Sequence, residues 1–73
     1  MVKINFRHSL YAKESIQSAI KEFKDYEMRH VTSRGKYYQV EMMNTDQVED
    51  LDVIVSEFRN YVLYLSIIHA ANQ

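Results

Sequence analysis

The chain contains no cysteine, no proline, no tryptophan and only one glycine among its 73 residues. Without cysteine, neither a disulfide nor a thiolate metal site contributes to stability. The scarcity of proline and glycine argues against a flexible linker, so we expect a single domain over residues 1–73. Neither sign of charge dominates, because the chain has ten acidic and nine basic residues. A chain so balanced has no net field to attract nucleic acid or anionic lipid.

Long apolar runs are also missing. The longest mostly apolar stretch covers residues 61–68, far short of the roughly 20 residues that span a bilayer. The first residues lack the apolar region and the cleavage site of a signal peptide. The absence of cysteine fits a reducing compartment. We therefore expect a cytoplasmic protein that does not associate with a membrane.

Hydrophobic residues make up 47% of the chain, which is enough for a packed core. Alternation with a period of two predicts strands, and spacings of three and four predict helices. The predicted elements are, in order, a strand over residues 2–6, a helix over residues 12–25, a less clearly patterned strand over residues 26–33, a tight turn at Gly35, a strand over residues 37–43 and a helix over residues 45–71.

This order, β-α-β-β-α, predicts an α+β fold. We expect a three-stranded antiparallel sheet, ferredoxin-like but lacking the last strand, packed by two helices of which the second is long. The first strand then pairs on one side only. Its outer edge, along Val2 to Phe6, offers unpaired backbone groups. These pair with another chain, are covered, or are protected from pairing by the polar residues Lys3, Asn5 and Arg7.

The last helix, predicted from Thr45 to Ala71, has acidic first turns and an almost wholly apolar second half. A helix of that length measures roughly 40 Å, whereas a compact domain of this size has a diameter of roughly 29 Å. We therefore expect its apolar half to overhang the domain. Either the helix breaks near Arg59 and Asn60, or that half packs on another chain.

No constellation of residues points to catalysis. The three histidines, His8, His30 and His69, share no metal-ligand spacing with one another or with a carboxylate. No serine lies in a nucleophile motif, and there is no glycine-rich phosphate loop. We expect a protein that is not an enzyme and that has no catalytic residue, metal site or cofactor.

Two surfaces are candidates for binding a protein or peptide partner. One is the open edge of the first strand, offered through the backbone of residues such as Ile4 and Phe6. The other is the overhanging face of the last helix, because aromatic residues are enriched at interfaces; its predicted contact residues are Tyr61, Tyr64, Leu65 and Ile68.

Two alternatives stay open. The chain is a homo-oligomeric structural module if the last helix packs against its symmetry mate. It is a small nucleic-acid-binding or antitoxin-like regulator if Arg29, Arg34 and Lys36 of the predicted hairpin contact phosphates.

Three segments carry a resemblance to a known family: residues 10–16 (LYAKESI), the strand over residues 37–43 (YYQVEMM) and residues 57–63 (EFRNYVL). Together they resemble the small HxsD protein of the His-Xaa-Ser system. Tyr61 and Leu63 match the Tyr-x-Leu of the family's C-terminal signature, whereas Tyr64 and Leu65 replace its Arg-Glu pair.

The resemblance implies a peptide-maturation setting, with a radical SAM enzyme and a peptide that bears His-Xaa-Ser repeats. It implies no catalytic residue. The predicted function is therefore that of a non-enzymatic accessory or adaptor protein, which binds a peptide or a partner enzyme such as the radical SAM enzyme.

Overall fold

A computed structural model describes the backbone of residues 1–71 and the side chains of residues 1–29, 33–46 and 48–71. The expected α+β fold, with the order β-α-β-β-α, is confirmed. The elements are β1 (Val2–Arg7), α1 (Lys13–Glu22), β2 (Met28–Arg34), β3 (Tyr37–Met42) and α2 (Leu51–Ala71), with short 3₁₀ turns at Lys24–Tyr26 and Thr45–Gln47.

The three strands form one antiparallel sheet in the order β1-β3-β2. β1 pairs with β3 in unbroken register from Val2 opposite Met42 to Arg7 opposite Tyr37. The register of β2 with β3 shifts between Val31 and Ser33, which marks a bulge. β1 is therefore an edge strand, as the sequence predicts, and it is the regular edge of the two.

A two-residue turn at Gly35 and Lys36 joins β2 to β3. Gly35 has a φ of 57°, in the left-handed region that a tight hairpin turn requires and that glycine adopts without steric cost. The predicted role of the only glycine is confirmed.

Both helices contribute to a core on one face of the sheet. The ring of Phe58 on α2 makes edge-to-face contacts with Phe6 of β1 at 5.8 Å and with Phe23 after α1 at 5.2 Å, between ring centres. These contacts join both helices to the sheet. The buried hydrophobic residues are Ile4, Phe6, Ile16, Ala19, Val40, Met42, Phe58 and Val62.

The predicted start of the last helix at Thr45 is wrong, because α2 begins at Leu51. Asn44 and Asp50 both have positive φ, at 54° and 52°, and an α-helix cannot pass through such residues. Val48 between them is extended. Val48 therefore continues the apolar spacing of the helix without belonging to it.

The predicted overhang of this helix is also wrong. α2 is continuous through Arg59 and Asn60 and measures roughly 32 Å at 1.5 Å per residue. The second half of α2 is covered by its own domain, because Val62 and Ser66 are buried and Ser66 contacts Ala12 at the start of α1.

The aromatic contact of Phe58 gives a stability prediction. Replacing Phe58 with alanine leaves a cavity between Phe6 and Phe23, and we expect a loss of about 3–5 kcal/mol in the free energy of unfolding. A domain of this size has about 4–11 kcal/mol in total. Urea denaturation followed by circular dichroism measures the loss. The control, exposed Tyr64→Ala, should change it by less than about 1 kcal/mol; equal losses in both variants would contradict the proposed packing.

Candidate partner-binding site

The outer side of β1 presents backbone groups that β3 does not use. The amide of His8 donates to the carbonyl of Lys36 at 2.9 Å, which continues the ladder of pairs at Phe6, Ile4 and Val2. Along an antiparallel pair, residues whose amide and carbonyl bond the neighbouring strand alternate with residues whose groups point away from it. The amide and carbonyl groups of Lys3 and Asn5, and the amide of Arg7, therefore point away from β3 to the edge. We call this row the β1 edge.

Arg59 of α2 covers the middle of the β1 edge. Its Nη1 donates to the carbonyl oxygen of Asn5 at 3.2 Å, and its guanidinium carbon lies 5.4 Å from the centre of the Phe6 ring. A hydrogen bond from a cationic donor and a cation–π contact thus hold one side chain over the edge. The carbonyl of Arg7 accepts hydrogen bonds from the amides of Leu10 and Tyr11 instead.

The sheet face beside the β1 edge carries no helix and is polar. Lys3, Asn5 and Arg7 expose their side chains there. The side-chain nitrogen Nε2 of Gln39 donates to Asn5 Oδ1 at 3.0 Å, and this hydrogen bond links β3 to the edge strand on this face. Within the part of the chain whose side chains are described, no group donates a hydrogen bond to the buried side-chain oxygen of Gln39.

The structure places the predicted residues of the edge in the core. The side chains of Ile4 and Phe6 are buried, and their backbone groups pair with β3. A partner at this edge would therefore meet the backbone of Lys3 and Asn5 instead. Which alternate set faces outward depends on the register with β3, and the sequence alone does not show it.

The predicted residues of the last helix divide between two faces. Tyr61 and Leu65 are half-buried and pack against the core cluster, and Ile68 is half-buried as well. Only Tyr64, 58% exposed, faces outward, together with Leu63 at 42% and Ile67 at 61%. We call Leu63, Tyr64 and Ile67 the outer face of α2. Leu63 and Ile67 were not predicted as contact residues.

Polar contacts hold the apolar half of α2 against the start of α1. The amide of Ala12 donates to Ser66 Oγ at 3.3 Å. The buried hydroxyl of Ser15 lies 2.7 Å from Nδ1 of His69. Because these pairs are separated by 54 positions, no local pattern reveals them. They explain why this half packs on its own domain.

The two histidines that the structure describes in full lie in separate contacts. Ser15, beside His69, is fully buried. His8 Nε2 lies 2.9 Å from Ser33 Oγ, and its ring packs on Tyr38 at 4.0 Å. Among the residues whose side chains are described, no three histidines or carboxylates are placed to hold a metal ion. The side chain of His30 lies outside the described residues.

The basic residues of the hairpin are exposed. Arg29 and Arg34 lie on β2, and Lys36 lies in the turn. Arg29 is opposite Glu41 in the register, so a carboxylate accompanies part of this charge. A nucleic-acid contact through these residues stays a prediction.

No family model, curated protein or solved structure matches this chain. The resemblance to HxsD proteins therefore stays a prediction. Within residues 1–71, no helix combines the length and the apolar content that crossing a membrane requires.

The Ser15–His69 contact gives a second prediction. Replacing Ser15 with alanine leaves the partly buried His69 nitrogen without its partner, and we expect a loss of about 1–2 kcal/mol in the free energy of unfolding. Chemical denaturation measures it. Ser18→Ala, an exposed position of the same helix, is the control and should change stability by less than about 0.5 kcal/mol. If both variants behave alike, the contact does not hold the helix end.

Proposed function

We propose that this chain is a non-enzymatic accessory protein that binds an extended peptide, or an extended segment of a partner enzyme, as an additional strand at the β1 edge. The observation that carries the proposal is the geometry of β1. Its six residues pair with β3 in regular register, and the only side chain hydrogen-bonded to the outward backbone of Lys3 and Asn5, within the described residues, is that of Arg59.

Strand addition uses main-chain hydrogen bonds for affinity and neighbouring side chains for specificity. A regular edge strand without proline or a bulge is a suitable template for it. The other edge, β2, has a bulge at Val31 and Ser33, and a bulge interrupts pairing. These differences favour β1 as the edge that accepts a partner strand.

The test removes one outward donor and leaves the ladder intact. Asn5→Pro deletes the amide that points to the β1 edge, and proline is tolerated at such positions of an edge strand. Linear heptapeptides are selected from a random display library on the wild-type chain. We expect the selected peptides to lose at least about tenfold in affinity for Asn5→Pro, because each added strand depends on consecutive main-chain bonds.

Asn5→Ala is the matched control, since it removes the side chain that Gln39 contacts but keeps the outward amide. Selected peptides should bind it nearly as tightly as the wild type. Amide shifts in ¹⁵N-labelled protein should centre on Lys3, Asn5 and Arg7. Peptides that bind Asn5→Pro and wild type equally, or that shift other residues only, would contradict strand addition.

The cellular setting that we propose is a radical SAM peptide-modification system, and it is supported by the resemblance to HxsD alone. Native mass spectrometry of the chain mixed with the radical SAM enzyme of a His-Xaa-Ser system tests it. We expect a complex that the β1-edge variant Asn5→Pro weakens. If no complex forms over micromolar concentrations, this setting is wrong even where peptide binding is real.

A second candidate function, a homo-oligomeric structural module, is favoured by the outer face of α2. Leu63, Tyr64 and Ile67 place three large apolar side chains on one side of the helix, with 42–61% of each exposed. Positions three and four apart lie on the same face of a helix. A second copy packed in parallel or antiparallel would cover them.

The oligomer is tested by light scattering over a hundredfold range of concentration. If a dimer forms, the double variant Tyr64→Glu, Ile67→Glu should be a monomer, because burying two carboxylates in an apolar contact is unfavourable. Gln17→Glu, Ser18→Glu adds the same charge at exposed positions of α1 and should leave the mass unchanged. A wild-type monomer at every concentration, or a dimer that survives Tyr64→Glu, Ile67→Glu, would exclude this module.

A further inference from the structure

We infer that the segment added at the β1 edge is an acidic peptide, with carboxylates on both faces of the added strand, and that Arg59 selects it. This inference rests on the proposed function, because it names the chemistry of the partner at that same edge. It is based on two observations: cations surround the β1 edge, and Arg59 occupies the carbonyl of Asn5, an acceptor that an added strand needs.

The charge around the β1 edge is positive. β1 itself contains two cations, Lys3 and Arg7, and no acidic residue. Arg59 adds a third cation from the helix side. The carboxylate nearest in the register is Glu41, which lies opposite Lys3 and also opposite Arg29 on the other side of β3. One carboxylate, that of Glu41, therefore lies between two cations, and the side chains around the edge carry more positive than negative charge.

The pleat of a strand determines which side chains of a partner meet these cations. Lys3 and Arg7 are exposed on the open face of the sheet, so alternate residues of an added strand lie beside them. Opposite charges at such cross-strand positions are favourable. The other residues of the added strand face the helix side, from which Arg59 reaches the edge. A carboxylate on that side therefore meets the guanidinium of Arg59.

Arg59 makes the uncovering of the edge depend on the charge of the partner. While the edge is empty, Arg59 donates to the carbonyl of Asn5. An added strand needs this acceptor for its own amide, so it competes with Arg59. A carboxylate on the partner can accept a charge-assisted hydrogen bond from the released guanidinium, whereas a neutral partner offers only the weaker, uncharged acceptors. Arg59 thus protects the edge from neutral strands and binds an acidic one.

Three blocked heptapeptides test the inference, each with five consecutive glutamate, glutamine or lysine residues flanked by threonine, so that the varied residues face both sides of the added strand. The full chain is ¹⁵N-labelled and titrated with each peptide at low salt. Each exposed ion pair contributes about two- to fivefold in affinity, so we expect the glutamate peptide to bind about tenfold or more tightly than the glutamine peptide. The lysine peptide should bind most weakly. Amides of Lys3, Asn5 and Arg7 should shift, and the preference should shrink at 0.5 M salt.

Two variants separate Arg59 from the general charge of the molecule. Arg59→Gln should bind the glutamine peptide as well as or better than the wild type, because the edge is less covered, and the glutamate peptide more weakly. Lys21→Gln removes an exposed cation from α1 and should leave both affinities unchanged. Circular dichroism verifies that each variant is folded, since Arg59 also covers Phe6.

The outcomes distinguish this inference from the proposed function. Equal affinity for the glutamate and glutamine peptides, with shifts at β1, would overturn the acidic preference and leave strand addition intact. A preference as large in Arg59→Gln as in the wild type would overturn the role of Arg59. If the glutamate peptide shifts only hairpin amides such as those of Arg34 and Lys36, the acidic preference belongs to another surface and the inference is wrong. If no peptide, including those from the library, shifts β1, the proposed function is wrong as well.

Discussion

The structure depends on covering one face of a three-stranded sheet with only two helices. Phe58 meets this constraint, because its ring contacts Phe6 on the sheet and Phe23 beside α1. Edge-to-face packing of aromatic rings adds to the apolar area that they bury. With Phe58 in this position, the next residue, Arg59, lies at the side of α2 that faces the β1 edge. The same contact that stabilises the fold therefore places the side chain that covers the edge.

A sheet this small has two edges and one uncovered face, and its two edges differ in how far they can pair with another strand. A bulge interrupts β2, whereas β1 stays regular and is covered by one arginine. A bulge is a permanent feature of the backbone. A side-chain contact is reversible, because it exchanges for another hydrogen-bond acceptor without a change of fold. This difference explains why we place partner binding at β1 and not at β2.

Sequence patterns predicted the elements well where the pattern and the packing agree. Alternation at Val2, Ile4 and Phe6 and the single glycine of the hairpin gave the correct strand and turn. The start of α2 was misplaced, because the extended Val48 and the left-handed Asp50 interrupt a spacing that otherwise fits a helix. Among the candidate site residues, Tyr64 is exposed on the outer face of α2, whereas Ile4 and Phe6 have side chains in the core.

Local periodicity and the short hairpin are enough to predict the α+β class and the order of elements from the sequence, and the crossover expected of that order places β1 at an edge. The folded arrangement was needed to show which backbone groups of β1 point outward, that Arg59 reaches Asn5, and that Ser15 and Ser66 attach the end of α2 to its own domain. These contacts join residues 54 positions apart. Such pairs depend on register and on the rotation of a helix about its axis, which no local spacing encodes.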